Sequence, residues 1–232
     1  MEVYSHISRE FSVYDLQLWL QGFSSTLFIF LLSMSIGIAS GLLLAPFRYF
    51  KVKLVGSLIY GAAEFFRNSP VLVQLFLVYF GVPMFFQLEL SPFFAAILTL
   101  SMNTAAFSLI IFVSAMEAID REQILAAESF GLRRRQILQK IIGPQAMIIA
   151  IPMLVGIAIN QLQVTSLISV IGFIDITKVG EILNQRTLKP FIVWPLIGLT
   201  YFALAQLISY LGAWLGKRLS HHLQYRSVVE TA

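Results

Sequence analysis

The chain alternates long stretches free of charged side chains with short gaps in which charges crowd. The charge-free runs are Leu16 to Phe47, Asn68 to Leu88, Leu90 to Met116, Ile141 to Ile174 and Pro190 to Gly216. Each can hold the roughly 20 residues that a helix needs to cross a bilayer. A shorter run, Leu54 to Ala63, cannot cross alone and is interrupted by Glu64 and Arg67, so it reads as an interfacial lead-in to the second span. The fourth run is longer than one span and contains Pro144 and Pro152, which places the start of its spanning part near Met147. The pattern predicts an all-α integral membrane protein of five transmembrane helices.

Composition agrees. Hydrophobic residues make up 58% of the 232 and charged residues 12%, with a mean hydropathy of +0.81. Ordinary soluble domains carry about 25% charged residues, and a chain of this length cannot bury so much apolar side chain in a core of its own. Positive charge then sets the orientation, because Lys and Arg stay on the cytoplasmic side. One set of gaps holds Arg48, Lys51, Lys53, Arg121, Arg133, Arg134, Arg135, Lys140, Lys217, Arg218 and Arg226. The other holds only Arg9, Lys178, Arg186 and Lys189, with Arg67 at a boundary. The N-terminus is therefore expected outside and the C-terminus inside. The expected organisation is an external segment over 1–15, a single transmembrane domain over 16–218 and a cytoplasmic tail over 219–232, with a large cytoplasmic loop over 118–142.

The pI near 9.4 does not imply nucleic acid, since the cations sit in gaps between apolar runs, as on loops facing an anionic membrane. The chain has no Cys, which removes disulfides and thiolate chemistry. Met1 to Asp15 include Glu2, Arg9, Glu10 and Asp15 and lack the basic start and short apolar core of a cleaved signal, so the first run is expected to stay in the protein.

The 118–142 loop is more than a turn. Ile124, Ala127, Phe130 and Leu132, then Ile137 and Ile141, recur at helical spacing with charges between them, and Gly131 divides the stretch as a helix-ending residue does. Two short amphipathic helices on the cytoplasmic face are expected, a pattern that a plain surface-lying loop would also give.

Residues 125–131, Leu-Ala-Ala-Glu-Ser-Phe-Gly, are followed after nine residues by Ile141-Ile142-Gly143-Pro144-Gln145-Ala146. This resembles the EAA loop of ABC importer permeases, with Ala126, Ala127, Gly131, Ile141 and Pro144 in register, Leu125 in place of the Glu and Gly143 in place of a Leu. Glu64-Phe65-Phe66-Arg67-Asn68-Ser69-Pro70, with Val73, Gln74 and Phe76, is similar to a segment of the polar amino acid permeases. Further similarity lies in Gly22 to Leu27, Asn103 to Phe107, Thr165 to Gly172 and Lys189 to Phe191, so the resemblance runs over about residues 20 to 218.

What the resemblance implies is a five-helix permease core of the type I importer fold in a bacterial cytoplasmic (inner) membrane. It pairs with a second permease subunit, identical or paralogous, above a dimer of ABC ATPase subunits. An extracytoplasmic solute-binding protein delivers an amino acid or a similar solute. Ala126, Ala127, Glu128, Gly131 and Pro144 would form the element that couples to the ATPase. The chain has no G-x-x-x-x-G-K-[ST] segment, so no cofactor is expected on it; ATP and Mg belong to the partner ATPase.

Polar residues inside the spans are the remaining candidates, because an amide in hydrocarbon is costly unless paired or set against a wet cavity. Asn103, Asn160, Gln161, Gln163, Thr165 and Ser166 qualify, and of these Asn103, Asn160, Gln163, Thr165 and Ser166 are proposed for the substrate path. Interhelical hydrogen bonding is the plainer role for any one of them. Glu64 and Arg67, spaced i, i+3, are expected to neutralise each other at the membrane boundary. The acid and base that follow Asn103 in the resembling family are Ile110 and Val113 here, and a Lys-Asp pair is replaced by Gln163 and Val164, which points to a less charged ligand or to recognition by the partner subunit. An enzyme is not expected: His6, His221 and His222 all lie in the tails, no catalytic or metal-binding motif occurs, and no metal site is proposed. A secondary carrier or channel is the alternative, although no internal repeat supports it.

Overall fold

The computed structural model describes residues 11–229, and side chains as far as Leu219. Glu2, His6, Arg9 and Glu10, together with the side chains of His221, His222 and Arg226, lie outside the described residues. Every element among the described residues is helical. α1 (Val13–Tyr49) is followed by α2 (Val55–Asn68), α3 (Val71–Phe76), a π-helical turn at Leu77–Gly81 and α4 (Val82–Phe86). Next come α5 (Pro92–Glu117), α6 (Arg121–Ser129), α7 (Arg134–Ile137), a second π turn at Leu138–Ile142 and α8 (Gly143–Val164). A 3-10 segment at Thr165–Ile171, α9 (Ile176–Thr187) and α10 (Pro190–Val229) complete the order.

Among the described residues four helical stretches are long and apolar enough to cross a membrane: Val13–Tyr49, Pro92–Glu117, Arg134–Ile171 and Pro190–Leu219. The bent pair Val55–Asn68 and Val71–Phe86 makes a fifth if counted as one span. The helix breaks at Ser69-Pro70, where Pro70 is extended (ψ 130°) and has no N–H to continue α2. Gln74, only 5% exposed, donates from Nε2 to the Ser69 carbonyl (3.0 Å) and to Ser69 Oγ (2.8 Å), satisfying backbone that the break would strand in an apolar setting. α2 is thus a helix of its own, ending where the sequence reading placed the start of the second run.

The fourth crossing differs from expectation. The second short helix of the loop is not a separate surface element, because α7 runs through the π turn straight into α8. A proline at 144 would press its ring on the carbonyl of residue 140 in an unbroken α-helix. The wider turn just before it, closed by Gly143 N–H to the Leu138 carbonyl, moves that carbonyl away and lets the helix continue. Pro83 follows the first π turn at the same offset, with Val82 N–H bonded to the Leu77 carbonyl.

The chain forms two compact units, each gathered from three stretches. The first takes the chain up to Ser35, Ser69–Met102 and Asn160–Gln206. Its core is Ile29, Leu75, Ala95, Ala96, Leu100, Ile168 and Ile171. The second takes Ile36–Asn68, Asn103–Ile159 and the chain from Leu207. Its core, including Ala45, Ala106, Ala115, Ala127 and Ala146 around Phe112, is rich in alanine, which lets helix backbones approach closely where lipid offers no hydrophobic drive.

Candidate functional site

In the second unit the 118–142 loop builds a defined device. Asp120 caps α6, its Oδ1 accepting from Glu122 N–H at 3.0 Å. Gly131 ends the turn in the left-handed region (φ 77°), with its N–H bonded to the Glu128 carbonyl (2.9 Å) and Leu132 N–H to the Ala127 carbonyl (3.2 Å). Ala127 is buried in the unit's core, whereas Ala126, Glu128 and Pro144 are exposed. The two alanines, about 100° apart around α6, therefore face different surroundings. One seats α6 on the permease itself, and the other lies on the open side with Leu125 and Phe130, the latter 86% exposed. Gln145 Nε2 donates to Gln123 Oε1 (2.9 Å) and to the Ile141 carbonyl (3.0 Å), tying α6 to the first turn of α8. Lys51, Glu128 and Arg134 line a cavity of about 250 Å³ behind the loop, floored by Ile124, Ile137 and Ile142.

Arg67 Nη2 lies 2.8 Å from Glu64 Oε1, and Asn68 Nδ2 donates to Glu64 Oε2 at 2.8 Å. Asn103, also in this unit, is buried and donates from Nδ2 to the Phe66 carbonyl (3.2 Å), holding α5 to the end of α2.

The other four proposed path residues fall in one stretch of the first unit. Asn160 and Gln163 are exposed and share one side of α8 at i, i+3 spacing. Thr165 is fully buried, with Oγ1 donating to the Leu162 carbonyl (2.6 Å), and Ser166 Oγ donates to the Gln163 carbonyl (2.7 Å). Gln161 points the other way. Its Nε2, within a residue 1% exposed, donates to Ser33 Oγ (3.3 Å) and to the Leu100 carbonyl (3.1 Å), joining α1, α5 and α8. Amides one and two positions apart thus do different work: Gln161 binds helices together, while Asn160 and Gln163 present amides outward.

Three charged groups of the first unit were not singled out from the sequence. Asp175 is completely buried at the start of α9, accepting from Lys178 N–H (2.8 Å) and Tyr201 OH (3.3 Å). Burial pushes its carboxyl up to about 6. Asp15 and Arg186 form an ion pair between the start of α1 and the end of α9. The only signal in the sequence was that both fall on the side expected to be external. Among the described residues no group of acidic or His side chains could hold a metal.

Residues 37–221 match the family described as "Binding-protein-dependent transport system inner membrane component". The chain belongs to that family. It is a non-catalytic, multi-pass membrane subunit of an ABC transporter, and membership implies an ATPase partner and a second permease subunit. The permease is 32% identical to the L-cystine transport system permease protein TcyL of Bacillus subtilis over 191 residues, 80% of either chain. It is also 32% identical over 207 residues to the probable amino-acid permease protein YxeN of the same organism, covering 88% of this chain and 92% of the other. The crystal structure of an amino acid ABC transporter with histidines superposes with a TM-score of 0.82 at 30% identity, covering 89% of this permease and 96% of that chain. An inward-facing MetNI methionine ABC transporter chain gives 0.75 at 19% identity over 90% of this permease and 99% of that chain, which supports the fold.

Proposed function

We propose that the permease forms, with a second permease subunit, the path of an ATP-driven importer for an amino acid or a closely similar solute. An ATPase dimer carrying ATP and Mg would drive it and an extracytoplasmic binding protein would supply it. The observation that carries this reading is the agreement along nearly the whole chain with the transporter solved with histidines. TcyL and YxeN, one named for L-cystine and one for amino acids, support the same solute class.

The path runs past Asn160 and Gln163. An amide moved from water to hydrocarbon without a partner costs roughly 4–8 kcal/mol on a cyclohexane scale. Two exposed on one side of a span therefore call for a covering partner subunit or a wet passage. Thr165 and Ser166, each bonded to backbone, shape the end of α8 beside such a passage, and Asn103 holds α5 to α2 within the second unit. On the coupling side, the open face of α6 with Leu125, Ala126, Glu128 and Phe130 is the surface for the ATPase, with Ala127 anchoring it, Gly131 closing it and Pro144 setting the start of α8.

The test is uptake of labelled amino acids into proteoliposomes holding the permease, its partner subunit, the ATPase and the binding protein. Uptake should need internal ATP and external binding protein. Uptake by the permease alone, driven by an ion gradient, would instead make it a secondary carrier.

A further inference from the structure

α9 is hinged at both ends. Gly172 before it and Leu188 after it both lie in the left-handed region (φ 82° and 54°), a conformation that the Cβ of Leu188 disfavours. Between these points close contacts seat the 12-residue helix on its neighbours in the first unit. A methyl group on Gly22 of α1 would lie 2.7 Å from Val179 and 2.8 Å from the Asp175 carbonyl oxygen, and one on Gly180 would lie 2.9 Å from Ile197 of α10. Thr26 Oγ1 of α1 also accepts from Ile176 N–H at 3.1 Å.

One group works against this seat. Asp175 is wholly buried, and among the described residues no cation pairs with it. On its own helix Lys178 and Glu181 neutralise each other at 2.7 Å. Gly22 and Thr26, which meet this end of α9 from α1, carry no charge, and α10 presents the hydroxyl of Tyr201. The donors that Asp175 does have are neutral: Lys178 N–H at 2.8 Å and Tyr201 OH at 3.3 Å, the latter long for a bond to a carboxylate. Tyr201 OH in turn lies 3.0 Å from Thr177 Oγ1, and either oxygen can be the donor. A protonated Asp175 can therefore donate to Tyr201, and Tyr201 to Thr177, in a chain without charge. An ionised Asp175 leaves a desolvated charge in the seat, which water can relieve only if α9 lifts.

We propose that Asp175 and Tyr201 form a proton-operated latch, which holds α9 on α1 and α10 while Asp175 carries its proton and lets α9 swing about Gly172 and Leu188 once the proton leaves. Asp175, being wholly buried, does not touch the solute; it is a positioning residue that acts through α9. The 3-10 segment leading into α9 begins at Thr165, two residues after Gln163, so movement of α9 reaches the stretch that carries the proposed path. That consequence for uptake rests on the path proposed above and on the orientation expected from the cations, whereas the latch itself does not.

The chain has no Cys, so single cysteines report on α9 in the assembled transporter in nanodiscs. Val179→Cys puts a thiol in the buried seat and Ile182→Cys puts one on the exposed side of the same helix, so the ratio of their maleimide labelling rates cancels the shared pH dependence of thiol chemistry. The seated state is favoured below about pH 4 and loses that advantage as pH rises to about 6, because the carboxyl titrates at about 6 when seated and near 3.8 when open to water. The ratio should therefore rise about tenfold from pH 5 to pH 7.5. Asp175→Asn should keep the ratio at its pH 5 value throughout and melt no lower than the unmodified permease at pH 7.5, while Tyr201→Phe should raise the ratio at both pH values. In proteoliposomes of fixed internal pH, uptake should be severalfold faster at external pH 7.5 than at pH 5, and Asp175→Asn should hold it at the slow rate with KM unchanged. A ratio that does not respond to pH, the same response in Asp175→Asn, no rise in Tyr201→Phe, or an Asp175→Asn permease that fails to assemble would each overturn the latch. Absence of uptake by the unmodified permease at both pH values would count against the importer reading instead, and the labelling ratios would decide the latch on their own.

Discussion

Gly41 of α1 backs directly onto Ser108 of α5: a methyl group on Gly41 would lie 2.1 Å from Ser108 Oγ and 2.7 Å from the Leu109 nitrogen. The second of these is backbone and cannot swing aside, and Ser108 Oγ is itself committed to the Gly37 carbonyl at 3.0 Å. Gly41→Val should therefore prevent stable assembly, read as loss of a monodisperse detergent-solubilised complex. Gly61→Ala is the control, since nothing lies within 4 Å of a methyl group there. Removing that exposed helical glycine should leave stability unchanged or raise it by about 0.5–1 kcal/mol.

The in-span amides should separate into two classes. Gln161→Leu removes buried bonds between three helices, each worth about 0.6–2 kcal/mol in a membrane protein, so it should lower thermal stability while the folded fraction transports at the normal rate. Asn160→Leu and Gln163→Leu should lower uptake severalfold with stability unchanged. If Gln161→Leu instead abolishes uptake in fully stable protein, the assignment of roles is reversed.

At Gly131 the difficulty is backbone conformation alone, as nothing lies within 4 Å of an added methyl group. Gly131→Asn, which tolerates the left-handed region, should retain coupling. Gly131→Val should fail, and Gly131→Asp should add a charge where the loop docks, so both are expected to keep the permease assembled but lose uptake and ATPase copurification. A Gly131→Asp protein that holds the ATPase and transports normally would remove this loop from the coupling role.

Asp175 gives the first unit a pH dependence of stability. Its carboxyl titrates near 3.8 in an unfolded chain and at about 6 when folded, so between these values the folded state holds a proton that the unfolded state has released. This contribution makes stability rise as pH falls from about 7 toward 4, by up to tenfold in the folding equilibrium per pH unit, and then level off. Asp175→Asn keeps an acceptor for Lys178 N–H and should abolish this component of the melting profile between pH 7.5 and 5. A profile unchanged by the substitution would show that Asp175 is not its source.

For topology, cysteines introduced singly at Arg134 and Lys217 should be shielded from impermeant thiol reagents in intact cells, while those at Glu89 and Lys178 should react. The ion pair of Asp15 with Arg186 already requires the start of α1 and the end of α9 to share one face. Labelling of Arg134→Cys from outside would invert the orientation.

The spans were legible because a charge-free run has one physical use, and the loop was legible because Gly131 and Pro144 are residues whose backbone demands show in the sequence. The fate of the amides was not. Asn160, Gln161 and Gln163 are chemically alike and nearly adjacent, and only the rotation of α8 decides which of them meets Ser33. Asp15 and Arg186 lie 171 positions apart, so no local pattern could join them. The continuity of α7 with α8 was hidden for the opposite reason: Pro144 signalled a stop, and the wide turn that cancels the stop leaves no mark in composition.

That wide turn, and its counterpart before Pro83, amounts to a one-residue insertion absorbed inside a helix. An insertion of this kind advances the phase of everything after it by about 100° without moving the helix ends by more than a fraction of a turn. Ile137 before the turn and Ala146 and Ala150 after it all belong to the buried core of the second unit. Deleting Gln139, which lies outside that core, would keep the core side chains yet present them to the wrong neighbours. In these two places the length of the chain, more than its chemistry, carries the structural information.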